Sequence, residues 1–126
     1  MTGNSQSLPR TRYSDEELEE FRQLIEGKLG PAKKLYNDYR EQLRSTADNP
    51  DSKTRGLDDG TSTAENERLT ILARRQQKHI QYLENALLRI QNKVYGICRE
   101  TGKLIRKERL RIVPHATLSI DAKKRR

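Results

Sequence analysis

Two apolar stripes with helical spacing dominate the sequence and most constrain its fold. The first recurs at intervals of three, four or seven residues and consists of Leu18, Phe21, Ile25, Ala32, Leu35, Tyr39 and Leu43. The second consists of Leu69, Leu72, Ala73, Ile80, Leu83, Ala86, Leu87, Ile90 and Val94. This spacing places each set on one face of an α-helix. Two such helices can bury their stripes only against each other, so residues 14–94 are predicted to form an antiparallel coiled-coil hairpin.

Local signals mark where the first helix begins and where it is disturbed. Ser14 and Glu17 have the spacing of a capping box, in which each side chain satisfies a backbone N–H at the helix start. Gly30-Pro31 interrupts the first stripe, because proline lacks a backbone N–H and its ring disfavours helical geometry in the preceding residue. We expect a kink or a short break at that point.

A segment rich in Asn, Asp, Pro, Ser and Gly separates the stripes. Residues 47–60, ADNPDSKTRGLDDG, favour turns, so a tip loop is predicted at about 47–61. Ser62 and Glu65 have capping-box spacing within the segment that opens the second helix. In the hairpin, Asp58 and Asp59 then lie at the end farthest from the C-terminal residues. The alternative is that these adjacent carboxylates are exposed to solvent and have no binding role.

Composition agrees with a thin fold. With 32% hydrophobic residues, one Phe and no Trp among 126 residues, the chain cannot build a thick globular core. Residues 1–13 are polar and without periodicity, which predicts a flexible arm. The single cysteine, Cys98, excludes an intrachain disulfide and fits a reducing cytoplasm. No apolar run is long enough to span a bilayer or resembles a signal peptide, so we expect a cytoplasmic protein with no membrane partner.

The pattern changes at Tyr95, where residues 95–122 are predicted to form a small lobe and residues 123–126 a basic tail. Residues 98–126 contain ten Lys or Arg against three acidic residues, whereas residues 1–97 contain sixteen against fifteen. The basic candidates for partner contacts are Arg106, Lys107, Arg109, Arg111 and Lys123. They could contact phosphate, but only Tyr95 is available in the lobe for base stacking. Cys98 and His115 lack the companions of a catalytic site, so no enzyme is predicted.

The last 32 residues, YGICRETGKLIRKERLRIVPHATLSIDAKKRR, resemble the C-terminal zinc finger of the TraR/DksA family, whose pattern is YGxCxxCGxxIxxxRLxAxPxAxLCxxC. The residues that fall on this pattern are Tyr95, Gly96, Cys98, Gly102, Ile105, Arg109, Leu110, Pro114, Ala116 and Leu118. The preceding hairpin matches the coiled-coil architecture that the resemblance implies, so about 110 residues agree with the family. The fold class is therefore predicted to be mainly α, a long hairpin with a small zinc-finger-like lobe.

The family's four zinc-ligand positions fall on Cys98, Thr101, Ser119 and Ala122. A structural zinc site needs four sulfur or nitrogen ligands in a tetrahedron, which these residues do not supply. We therefore expect no bound metal. The lobe is instead expected to be held by packing of Ile97, Leu104, Ile105, Leu110, Ile112, Val113 and Leu118.

The resemblance implies a partner and a mode of action. Family members insert the coiled coil through the secondary channel of bacterial RNA polymerase and place acidic tip residues near the active centre, which alters initiation. The tip residues expected to reach that centre are Asp58, Asp59, Gly60, Thr61 and Ser62. Asp58 falls on one tip aspartate of the family, but the other falls on Arg55, so the tip matches only in part.

Family members often act with the alarmone ppGpp. The corresponding contact positions fall on His79, Tyr82, Val113 and Lys123, of which only Lys123 keeps basic character, so a role for ppGpp as co-effector stays open. The leading hypothesis is a monomeric transcription regulator that binds RNA polymerase without sequence-specific DNA binding. The alternatives are a nucleic-acid-binding protein that uses the basic lobe and a purely structural coiled-coil adaptor, which would be indifferent to substitution of Asp58.

Overall fold

The computed structural model describes residues 10–48 and 59–124, with side chains described for residues 10–45 and 63–124. This part of the chain contains four helices, which are α1 (Asp15–Asp48), α2 (Asp59–Gln91), α3 (Lys107–Ile112) and α4 (Ile120–Lys124). It contains no β-strand, and its single isolated bridge pairs Ile97 with Leu104. None of its helices is long and apolar enough to cross a membrane. The predicted class is confirmed, because two long helices that contact each other precede a small lobe.

The start of α1 has the hydrogen bonds that the sequence predicts. The backbone N–H of Glu17 donates to Ser14 Oγ at 3.1 Å, and the backbone N–H of Ser14 donates to Glu17 Oε1 at 2.9 Å. The acidic first turn of α1 also suits the positive end of the helix dipole. The capping box at Ser14 is confirmed.

Proline 31 lies inside α1, so the predicted short break at Gly30-Pro31 is wrong, whereas the alternative of a kink stays a prediction. Pro31 cannot donate to the carbonyl of Gly27, four residues earlier. Gly27, Gly30 and Pro31 are all exposed, so water can hydrogen-bond the backbone group that the proline leaves open. Loss of this hydrogen bond therefore costs little free energy, and the helix continues through Pro31.

The limits of the two long helices differ by a few residues from the predicted loop. Helix α1 continues through Ala47 and Asp48, and α2 already begins at Asp59. Asp59, Gly60 and Thr61 are therefore helical, although turn-forming composition placed them in the loop. The difference arises because residues that favour turns and caps also occur within the terminal turns of helices.

The described residues divide into two compact units. The first comprises residues 10–27 and 82–124, and its largest fully buried side chains are Ile25, Leu83, Tyr95, Cys98, Ile105 and Leu110. The second comprises residues 28–48 and 59–81, where Leu29, Ala32, Leu69 and Ala73 are buried between α1 and α2. Small residues make up half of this second core, so its helices bury less side-chain volume. Leu35, placed in the first stripe, is 39% exposed.

Tyr13 joins the N-terminal segment to the lobe within the first unit. Its side chain is buried, its hydroxyl donates to the carbonyl of Ile105, and its ring packs edge-on against Phe21 at a centroid distance of 5.6 Å. Residues 1–13 were expected to form a flexible arm; residues 1–9 lie outside the described part, whereas Tyr13 is fixed in the core. Periodicity could not detect it, because a single anchoring residue outside a helix has no repeat.

Candidate functional site

The predicted tip residues lie at the start of α2 or just before it. Asp58 lies outside the described residues. Asp59, Gly60, Thr61 and Ser62 form the first turn of α2, and their side chains are not described. Their predicted contact with a partner therefore stays a prediction.

The five basic candidates of the lobe are not equivalent. Lys107 forms an ion pair with Glu17 at 2.5 Å, and Arg109 Nε donates to the carbonyl of Leu118 at 3.0 Å. Lys107 therefore holds the lobe to α1, and Arg109 supports the lobe from within. The exposed members of the set are Arg106, Arg111 and Lys123. Only these three present their charge fully to solvent.

Glu17 is the centre of a charged cluster at the base of the lobe. Its carboxylate accepts hydrogen bonds from Arg10, Lys107 and the backbone of Ser14. The Arg10 guanidinium is the largest cause that holds the pKa of Glu17 far below its usual range, against the opposing effect of burial. The cluster therefore stays ionised at neutral pH and ties α1 to the first turn of α3.

Two of the other zinc-ligand positions, Thr101 and Ser119, hydrogen-bond to the Cys98 sulfur, and the fourth, Ala122, is bonded to Ser119. Cys98 is fully buried, and its Sγ accepts a hydrogen bond from the Ser119 backbone N–H at 3.3 Å. The Ser119 hydroxyl in turn accepts a hydrogen bond from the Ala122 backbone N–H at 3.2 Å. Ala122 is 1% exposed, so its methyl group packs where the family carries a fourth ligand. The fold of the finger is kept while its ligand chemistry is lost.

Hydrogen bonding also changes the acidity of the thiol. Burial would raise the pKa of Cys98, but hydrogen bonds from the Thr101 side chain and from the backbone N–H groups of Ser119, Thr101 and Glu100 outweigh it. The pKa of the thiol is lowered to about 6. These donors surround a sulfur as they would in a metal-bound knuckle, although three of the four ligands are absent.

The residues at this position do not fit a zinc ion. A tetrahedral site needs four S, N or carboxylate ligands, and here one thiolate is accompanied by two hydroxyls and a methyl group. Across residues 10–48 and 59–124, no cluster of three or more His, Cys, Asp or Glu is arranged to hold a metal. The lobe is instead closed by backbone hydrogen bonds between Cys98 and Lys103 and between Arg99 and Thr117.

The apolar core of the lobe agrees in part with its prediction. Ile105 and Leu110 are fully buried, but Ile112 is 79% exposed and contributes nothing to the interior. Ala116 and Ala122 are also buried, although they were not among the residues predicted to pack in the lobe. Helix α3 decides this outcome, because it turns Leu110 inward and Ile112 outward two residues later.

The positions proposed for alarmone contact differ in exposure. Tyr82 is 42% exposed and stacks on His115 with ring centroids 5.2 Å apart. Val113 is half-buried and Lys123 is exposed, while His79 lies in the second unit. Of these residues only Lys123 offers a full positive charge to an anionic ligand.

A basic groove in the second unit was missed by the sequence reasoning. It has a volume of about 620 Å³ and lies between α1 and α2, lined by Tyr36, Arg40, Leu43, Arg44, Thr70, Ala73, Arg74 and Gln77. The signal in the sequence is Tyr36, Arg40 and Arg44 at intervals of four, which share one helix face. Charge counting over residues 1–97 hid it, because acidic residues elsewhere cancel these arginines.

Comparisons with known proteins agree with the geometry of the lobe and of the hairpin. The family model described as prokaryotic dksA/traR C4-type zinc finger matches residues 93–126. The chain is 31% identical over 113 residues to the RNA polymerase-binding transcription factor DksA of Caulobacter vibrioides, in strains NA1000 and ATCC 19089, which covers 89% of this chain and 77% of each relative.

A solved structure extends this similarity to the whole fold. The structure of transcription factor DksA2 from Pseudomonas aeruginosa superposes with a TM-score of 0.80 at 26% identity and covers 87% of this chain and 82% of that one. The similarity therefore includes both long helices and the lobe, beyond the residues that the finger motif matches. This chain belongs to the TraR/DksA family.

Proposed function

We propose that the protein is a transcription regulator that binds RNA polymerase through the secondary channel and brings the residues around Asp58 and Asp59 close to the active centre. The observation that carries the proposal is the similarity over 89% of the chain to relatives named RNA polymerase-binding transcription factors. A hairpin of two helices of 34 and 33 residues, each about 50 Å long at 1.5 Å per residue, supports it because such an element can enter a narrow channel. The relatives are transcription factors, and the proposal includes no catalytic step.

The lobe supplies the other part of the proposed contact. Arg106, Arg111 and Lys123 are exposed and could meet acidic residues at the rim of the channel, because exposed charges of one sign steer association with a surface of the other sign. Lys107 and Arg109 are proposed instead to keep the lobe in place and in shape, since Lys107 pairs with Glu17 of α1 and Arg109 is bonded within the lobe.

The test separates binding from action at the tip. Asp58→Asn and Asp59→Asn each remove one negative charge, and Asp38→Asn, at an exposed position on α1, is the matched control. We expect wild type and all three variants to bind core RNA polymerase of the host with Kd values within about threefold, since exposed charges contribute little to affinity. Promoter-complex lifetime should change with wild type and Asp38→Asn but much less with a tip variant.

Two results would contradict the proposed function. One is a polymerase titration in which wild type does not bind. The other is tight, salt-sensitive binding of free DNA or RNA by the basic lobe without polymerase, which would favour the nucleic-acid-binding alternative. Unchanged promoter effects in both tip variants would leave polymerase binding in place but remove the role of the tip.

We also propose that the lobe folds without zinc. Removal of metal by EDTA should change the free energy of unfolding by less than about 1 kcal/mol, because no tetrahedral ligand set depends on it. The matched variant combines Thr101→Cys, Ser119→Cys and Ala122→Cys, which restores four thiols at the family's positions. Zinc should bind the triple variant and raise its melting temperature, and EDTA should reverse the gain. Stoichiometric zinc in the purified wild type, or its unfolding by EDTA, would contradict the proposal.

A further inference from the structure

The groove between α1 and α2 in the second unit brings together arginines from both helices. Arg40 and Arg44 come from α1 and Arg74 comes from α2, and Tyr36, Leu43 and Ala73 also line the groove. The lining residues on each helix are separated by one, three or four positions and so share one face of that helix, and the pairing of α1 with α2 turns both faces toward the same groove. This arrangement depends on the packed hairpin and does not exist in either helix alone.

Two of the three guanidinium groups have no acidic partner in the part of the chain that the structure describes. Arg44 pairs with Glu41 at 2.9 Å. Arg40 instead donates to the Tyr36 hydroxyl at 3.1 Å and lies 5.9 Å from the centre of the Tyr36 ring. No carboxylate of the described residues lies within ion-pair distance of Arg40 or Arg74. The groove therefore offers positive charge that the described chain does not neutralise.

The surroundings of the groove strengthen this positive field. The side chains of residues 28–45 and 63–81 include nine Lys or Arg and four Asp or Glu, a local excess of five positive charges. Two of the four carboxylates pair with an arginine on their own helix, Glu41 with Arg44 at 2.9 Å and Glu65 with Arg68 at 2.7 Å. A ligand of the groove is thus expected to be anionic, because like charges would repel a basic partner.

An acidic protein segment fits this groove better than a small anion does. Exposed guanidinium groups gain little from a solvated anion, since water screens the charges and ordering two side chains costs entropy. A polypeptide that lies along the groove excludes that water and also contacts the half-buried side chain of Leu43. Arginine forks can then bind carboxylates in a bidentate manner.

We infer that this groove docks an acidic segment of RNA polymerase, with Arg40 and Arg74 as its principal contacts. The inference rests on the proposed function for the identity of the partner. It differs from the proposed actions of the tip and the lobe, because it assigns affinity to the middle of the hairpin. Tyr36 positions Arg40 through the hydrogen bond and the ring contact.

The experiment compares two double variants that remove the same number of charges from the same unit. Arg40→Gln with Arg74→Gln changes the groove, and Arg68→Gln with Arg75→Gln changes exposed positions that do not line it. Glutamine is nearly as good a helix former as arginine, so both should fold, which circular dichroism checks. Kd for host core RNA polymerase is measured by fluorescence anisotropy at 50 and 200 mM KCl.

The groove variant should bind polymerase about tenfold more weakly than wild type at 50 mM KCl, and the control should stay within about twofold. The difference between wild type and the groove variant should shrink at 200 mM KCl because salt screens the ion pairs. Equal weakening of both double variants would overturn the inference in favour of a general effect of net charge. Loss of free-DNA binding in the groove variant alone would overturn it in favour of a nucleic-acid ligand.

Failure of this inference can be told apart from failure of the proposed function. If wild type binds polymerase and the groove variant binds equally well, the groove is not the contact and the proposed function stands. If wild type itself does not bind polymerase, both are overturned. Binding of a synthetic poly-glutamate peptide to wild type but not to the groove variant would support the chemistry of the groove without polymerase.

Discussion

Replacing Gly96 by alanine is expected to destabilise the first unit by about 3 kcal/mol, the sum of backbone strain and overpacking. Gly96 has φ +79°, a conformation that L side chains rarely adopt. An added Cβ would lie 2.6 Å from Cε2 of Tyr13 and 3.2 Å from Cδ1 of Leu110. The Tyr13 ring cannot move away freely, because its hydroxyl is bonded to the carbonyl of Ile105. Urea unfolding followed by circular dichroism measures the loss.

Gly102 provides the matched control for this prediction. It has φ +73°, and an added Cβ meets nothing within 4 Å. Gly102→Ala should therefore cost only the backbone strain, about 1 kcal/mol. A Tyr13→Ala background removes the contact with Tyr13 and leaves only that with Leu110 at 3.2 Å, so Gly96→Ala should cost clearly less there than in the wild-type background. Equal destabilisation by the two glycine substitutions in the wild-type background would show that contact with Tyr13 does not matter.

Replacing Tyr95 by alanine should cost about 3 to 5 kcal/mol, the range for removing a large buried aromatic side chain. Tyr95 is fully buried, and its ring centroid lies 5.2 Å from that of Phe21 on α1. Its hydroxyl donates to the carbonyl of Pro114 at 2.8 Å. One side chain therefore connects α1, the start of the lobe and the segment at Pro114. Thermal unfolding should show a lower melting temperature and an earlier loss of the tyrosine near-ultraviolet signal.

One further variant separates the contribution of the Tyr95 hydroxyl from that of its ring, and a second, at Tyr82, is a control. Tyr95→Phe keeps the ring and leaves the Pro114 carbonyl without its donor, so about 1 to 2 kcal/mol is expected. Tyr82→Ala removes a tyrosine that is 42% exposed and should cost about 1 kcal/mol or less, the value of its stacking on His115. A loss with Tyr95→Ala no larger than that with Tyr82→Ala would contradict the assignment of Tyr95 to the core.

Local patterns account for the parts of the fold that sequence reasoning predicted well. The capping box of Ser14 and Glu17 needs residues three positions apart, and the structure contains both hydrogen bonds. Leu18, Ile25 and Leu83 lie in the predicted stripes and are buried. Such features were predictable because helical periodicity and capping depend on neighbouring residues and repeat along the chain.

The errors lie where solvent or a distant residue decides the outcome. Pro31 remains within α1 because its surroundings are exposed and water can serve the open carbonyl. Ile112 is hydrophobic but exposed, because α3 turns it outward while Leu110 faces the core. Tyr13 belongs to the core only through contacts with Phe21 and Ile105. Composition and spacing carry no information about such contacts.

The candidate site shows the same division. The four zinc-ligand positions of the finger could be aligned from the sequence. Thr101, Ser119 and Ala122 at three of them are not zinc ligands, so the sequence already predicts no tetrahedral zinc site. That the Ser119 backbone N–H and the Thr101 side chain hydrogen-bond to the Cys98 sulfur could not be predicted, because those donors meet only after the chain turns back.

The sequence by itself determined the family, the two amphipathic helices, the basic lobe and the loss of three zinc ligands, because each depends on residue type and spacing along the chain. Tertiary structure alone decided that Lys107 pairs with α1, that Arg109 is bonded within the lobe, and that Arg40 and Arg74 line one groove. The physical reason is that the electrostatic energy of two charges depends on the distance between them in space and not on their separation along the chain. Residues 34 positions apart form one electrostatic surface only when packing of α1 against α2 brings them together.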